Sequence, residues 1–156
     1  MRSRNRRGGE SAAEVAASRF DGGYNCAQSV LLGLKETRGV KVAEDLVNAC
    51  AVMTGGLGRS GCVCGALTGA SIAIGLVEGG RGVIGKRRRA IARTAEFHDI
   101  FKKEFGSTCC RVLRKGVDYG DPKLKERCRS ITSRTAQLLD NFLFESGAYC
   151  EKHGEK

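Results

Sequence analysis

Tryptophan is absent from this chain of 156 residues, proline occurs once and histidine twice. The lone Pro122 and an aromatic content of 6% argue against a sandwich or barrel of many short strands. No apolar run is long. The longest, about Ala66 to Val77, falls short of the ~20 residues that span a bilayer. The N-terminus Met1-Arg2-Ser3-Arg4-Asn5-Arg6-Arg7 is basic, but the apolar stretch that a signal peptide or twin-arginine signal needs does not follow it. These absences predict a soluble, cytoplasmic chain with no membrane span. Glycine is plentiful at 22 but has no period, which excludes collagen and simple repeats. Acids number 17 against 27 lysines and arginines, for a formal net charge of +10.

Cysteine, by contrast, is abundant: eight in one ordinary domain length. In a cytoplasmic protein such a set binds metal or does redox work more often than it forms resident disulfides. The chain divides into a disordered basic tail (1–10), a single helical domain (11–145) and a frayed C-terminal tail (146–156). Ser11-x-x-Glu14 is a capping box that opens a helix ending at Asp21-Gly22-Gly23. A second helix starts near Asn25. A third spans about Lys41 to Met53, with Val42, Leu46, Ala49 and Met53 as its stripe. The loop from Thr54 to Gly61 has almost no side-chain bulk. A fourth helix, 64–77, is small and apolar all round, so it is expected to be central and buried. A fifth, about 86–105, carries Ala90, Thr94, Phe97, Phe101 and Phe105 on one face. A short turn covers Cys109 to Leu113. The last helix, about Leu124 to Phe144, has the stripe Cys128, Ile131, Thr135, Leu138 and Phe142. No convincing strand is present. The expected fold is all-α, a compact multi-helix bundle around the Gly/Ala-rich 64–77 helix.

The densest chemistry lies at Gly61-Cys62-Val63-Cys64-Gly65-Ala66-Leu67-Thr68-Gly69. A cysteine at a helix start feels the positive end of the helix dipole, which favours thiolate and so strengthens a nucleophile or a metal ligand. Cys26, Cys64 and Cys110 each fall at or near a predicted helix start, and Cys128 lies in the first turns of the last helix. Buried cysteine also serves as a small hydrophobe. Cys50, flanking the third helix's stripe, is read that way.

Taken in order, Phe20-Asp21-Gly22-Gly23-Tyr24-Asn25-Cys26-Ala27-Gln28-Ser29-Val30, Gly55-Gly56-Leu57-Gly58, Cys64-Gly65-Ala66-Leu67-Thr68-Gly69, Cys110-Arg111-x-Leu113 and Cys128 form one pattern. Over roughly residues 12–145 the chain resembles the redox-active family named for its motif, C_GCAxxG_C_C. The resemblance implies a working set of four cysteines, matched here by Cys26, Cys64, Cys110 and Cys128. A related cysteine-rich region, in split-Soret-type cytochromes, is associated with an iron–sulfur centre. Cys62 and Cys109 depart from the pattern, each adding a thiol beside a family cysteine. Cys50 and Cys150 lie outside it.

Two readings follow. In the first, the four cysteines converge and act by thiol–disulfide chemistry toward a redox partner, as in a thiol–disulfide oxidoreductase. Cys64 is then the lead thiolate, and Cys26, Cys110 and Cys128 resolve or support it. In the second, the same four, with Cys62 or Cys109 as further candidates, bind zinc or an iron–sulfur cluster for electron carriage or sensing. The spacings are not paired Cys-x-x-Cys knuckles. The glycine loop lacks the Gly-Lys-Ser/Thr ending of a P-loop and has no strand before it. Arg59 is read as solvated and His98 as a structural histidine. The basic run Lys86-Arg87-Arg88-Arg89 with Arg93 is read as a solvated face. Without a nucleic-acid-binding signature or interleaved aromatics, nucleic acid is not the expected partner.

Overall fold

A computed structural model of the protein describes residues 9–79 and 84–145. Most of the expected tails, 1–8 and 146–156, therefore lie outside the described residues. So does Cys150. Helix α1 (Ala12–Asp21) begins at Ser11, whose hydroxyl accepts the Glu14 amide at 3.2 Å while the Glu14 carboxylate accepts the Ser11 amide at 2.8 Å. Helix α2 (Cys26–Arg38) repeats the device. Asn25 Oδ1 accepts the Gln28 amide and Gln28 Oε1 accepts the Asn25 amide, each at 3.0 Å. Both boxes satisfy amides that a helix start otherwise leaves unpaired.

Helix α3 (Glu44–Ala49) runs into a 3-10 turn, Cys50–Met53. This corrects the expected third helix. It starts three residues later, and Ala49 points outward while Val47 and Cys50 are buried. The tightening into 3-10 geometry brings i and i+3 onto one line and shifts the buried stripe. Helix α4 (Gly65–Glu78) packs on α2 and on α5 (Ile84–Phe105). It is central and buried from Gly65 to Ile74, and only its last turn, with Gly75 and Leu76 exposed, reaches the surface. Helix α6 (Cys110–Arg114) is short. Helix α7 (Pro122–Asp140) is capped by Asp121, has proline at its first position, and ends in a π turn over Asn141–Glu145. The deepest residues of α7 are Thr132, Thr135, Ala136 and Leu139. The expected stripe was thus rotated by about one residue, because α1 and α2 together press on α7.

Among the described residues there is no strand, only one antiparallel bridge, between Val63 and Cys109. No helix there is long and apolar enough to cross a membrane. Phe97, Phe101, Leu31, Leu34, Ile74 and Leu139 are fully buried and form the centre of the bundle. Burying each such side chain contributes roughly 1.5–3 kcal/mol. The helices approach closely where side chains vanish. A Cβ on Gly69 would sit 2.6 Å from the Ala27 carbonyl oxygen, so α4 lies directly against the α2 backbone. At the far end of α2, Arg38 grips Asp140 with both arms of its fork, at 2.5 and 2.8 Å, and ties α2 to α7.

Candidate functional site

The start of α2 is held from two sides. Asn25 Nδ2 donates to the carbonyls of Cys50 and Ala51, each at 2.9 Å, and Gln28 Nε2 donates to Val47 O at 2.9 Å. Cys26, the first residue of α2, is fixed by these bonds. Cys64 precedes the first turn of α4 as its N-cap. Its amide donates to Thr108 O at 2.8 Å, and the Cys110 amide donates to Cys62 O at 2.5 Å. This two-stranded clasp aligns residues 61–64 with 108–111 and carries Cys64 and Cys110 to the same side of the molecule. Gly56 closes the clasp from below. Its φ is +73°, and a Cβ there would meet Cys110 Cβ and Cys62 N, each at 2.7 Å. Residues 55–59 all have positive φ, including Leu57 and Arg59, so the glycine loop is a left-handed turn. Cys128 comes from the second turn of α7.

Cys26, Cys64, Cys110 and Cys128 all line one cavity of about 360 Å³. Cys64 and Cys110 are buried, and Cys26 and Cys128 are half-buried. Cys26 and Cys128 are neighbours in the cavity, and once Cys26 is charged the Cys128 thiol donates to its sulfur, which lowers Cys26 to about 7. Cys128 is pushed far up by the same bond and by burial, since a second negative sulfur would face the first. The two titrate as a pair, with one easy and one hard ionisation. The Thr132 hydroxyl is buried and makes no hydrogen bond with the resting thiols. Even so, it lowers Cys26 once that sulfur is charged, because a thiolate accepts far better than a thiol.

Burial pushes Cys64 up to about 12, with the charge on Cys26 adding to it. The amides of Ala66 and Leu67, at the start of α4, pull the other way and lose. The helix-start effect read from the sequence is present at Cys64, but desolvation exceeds it. Cys110 is also raised by burial, against a lowering by the Arg114 charge and by a hydrogen bond to Tyr119. Cys50 is 1% exposed and raised by burial, a packed core thiol. Cys62 is exposed, and the Cys109 thiol donates to Gly61 O at 3.2 Å. Neither lines the cavity. His98 lies on the exposed side of α5, with Nδ1 3.0 Å from Asp99, away from the cavity.

The four cysteines border one cavity. Among the described residues, no three His, Cys, Asp or Glu side chains gather as metal ligands would. The described side chains do not make a single-ion site of the zinc kind. Two residues at the site gave no sequence signal. Tyr119 donates to Gly55 O at 3.1 Å, and its ring carries Arg114 at 4.4 Å and Arg59 at 5.4 Å. Arg59, expected as a solvated side chain, therefore stacks on the cavity rim. Tyr119 and Arg114 reach the site from loop and helix-end positions that no periodicity marks.

A 28% identical relative, called "Uncharacterized protein", is found in Archaeoglobus fulgidus; the match covers 73% of this chain and 81% of that protein. No solved structure matches. The family model described as "Putative redox-active protein (C_GCAxxG_C_C)" matches residues 24–142, from the start of the Asn25 cap to the end of the α7 core. The chain belongs to the C_GCAxxG_C_C family.

Proposed function

We propose that this is a thiol–disulfide redox protein in which Cys26 attacks and Cys128 resolves. The observation that carries the reading is that Cys26 and Cys128 are coupled neighbours inside a cavity bordered by four thiols from four separate segments. The lead role that the sequence gives to Cys64 passes to Cys26, whose sulfur ionises near neutral pH while Cys64 stays protonated. The Cys26 thiolate attacks a disulfide RS–SR, forming Cys26–S–SR and releasing RS⁻. Cys128 then loses its proton and its sulfur attacks the Cys26 sulfur, releasing the second RS⁻. Two electrons pass to the disulfide, and the protein keeps a Cys26–Cys128 bond. Cys64 and Cys110 border the reaction as protonated thiols.

The test is to treat the reduced protein with a mild disulfide oxidant, quench with acid and map the bonds by mass spectrometry. A reversible Cys26–Cys128 disulfide is expected, lost in Cys26→Ser and in Cys128→Ser and kept in Cys50→Ser. Oxidation that leaves Cys26 and Cys128 as free thiols defeats the proposal.

A further inference from the structure

Resting on that thiol–disulfide reading, we propose that the cavity selects a low-molecular-weight disulfide bearing a carboxylate, gripped by Arg114 while its sulfur meets Cys26. Arg114 lines the cavity, and Nη1 donates to Val117 O at 2.8 Å. Its Nε is shielded from solvent and donates to nothing. A buried donor without an acceptor costs about 1–3 kcal/mol. A small rotation of the side chain that turned Nε to the cavity would let a ligand oxygen remove that cost.

Arg114 and Lys125 on the wall are balanced by the Asp121 carboxylate and the Cys26 thiolate, so the preference for an anion is local to Arg114. Lys125 lines the same cavity. Asp121 lines it too, but its carboxylate already accepts the Lys123 amide at 2.7 Å as the cap of α7. The Tyr119 ring, 4.4 Å from the guanidinium carbon, holds Arg114 at the wall by a cation–π contact. A carboxylate matches a guanidinium edge in shape and charge. The rest of the wall is largely apolar, with Phe20 and Ile131 among its residues. A volume of about 360 Å³ suits a small molecule. The electrons balance as above: each disulfide gains two and leaves as two thiols, and the Cys26–Cys128 pair loses two.

The experiment uses the reduced full-length protein and three disulfides: 3,3′-dithiodipropionate, neutral bis(2-hydroxyethyl) disulfide and cationic cystamine. The rate of Cys26–Cys128 bond formation is divided by the rate at which dithiothreitol reduces the same disulfide, which removes intrinsic reactivity. The normalised rate for the dicarboxylate is expected to exceed the neutral one by about tenfold, the scale of one charge-assisted hydrogen bond. Cystamine is expected to be slowest. The net positive charge of the molecule favours any anion, so the assignment to Arg114 is read from Arg114→Gln, with Arg114→Lys as a second variant that keeps the charge and removes Nε. Both are expected to lower the dicarboxylate-to-neutral ratio. Equal normalised rates in the wild type, or a ratio unchanged in either variant, overturn this inference and leave the thiol–disulfide reading standing. Failure of all three disulfides to form the Cys26–Cys128 bond overturns both.

Discussion

What its sulfur meets on ionising decides the chemistry of Cys26. Two hydroxyl-like donors converge on it, the Cys128 thiol and the Thr132 hydroxyl, and both bond more strongly to the anion than to the neutral form. The effect reads out as alkylation. Its rate should rise as pH rises through about 7, because the thiolate reacts and the thiol does not. Thr132→Val keeps the shape and removes one donor. The midpoint of the Cys26 alkylation profile should then move up by about one pH unit, in line with the loss of a hydrogen bond to a charged group. Following iodoacetamide labelling of the Cys26 peptide against pH checks this, and an unmoved midpoint removes Thr132 from the account.

Among the elements, α4 and its contact with α2 set where Cys64 and Cys26 sit. The two helices touch through Gly69, with no room for a methyl group against Ala27. Gly69→Ala should cost about 2–3 kcal/mol, since backbone has to yield. Gly75, two turns on in the same helix, is exposed, and a Cβ there would meet nothing within 4 Å. Gly75→Ala should therefore gain about 0.5–1 kcal/mol through lost unfolded-state entropy. Urea denaturation of both variants measures the opposite signs. The contrast follows from α4 being enclosed at one end and open at the other.

Taken whole, the molecule carries several thiols that it keeps protonated. Cys64 is held up to about 12, and Cys50, Cys110 and Cys128 are raised as well. A raised group stabilises the fold below its unfolded value, near 8.5, and that stability drains as pH climbs above it. Each such thiol contributes a loss of about 1.4 kcal/mol per pH unit until it too ionises. Cys26 has the opposite sign: its contribution is present above the unfolded value and fades as pH falls through about 7. Raised thiols outnumber the lowered one, so Tm under reducing conditions should fall between pH 8 and pH 10, measured by circular dichroism. A flat Tm over that interval contradicts the burial of Cys64.

Much of this was legible locally. The Ser11 box, the helix start at Asn25 and the four cysteines of the motif are written in short stretches, where neighbouring residues decide the outcome. The α3 boundary and the α7 stripe were not, because distant helices set which side faces inward. Likewise, the preference for Cys26 over Cys64 needs the depth of each sulfur and its neighbours, and neither appears in spacing. Tyr119 and Arg114 act through a cavity that exists only after α6 and α7 fold against the clasp.

Cys26 lies on α2 and Cys128 on α7, so the cavity they share joins the early and late parts of the chain. A ribosome that has delivered the first four helices has made a lone sulfur without its proton donor. On the proposed reading the pair is therefore completed only as translation reaches α7, and a product truncated before it lacks the second thiol.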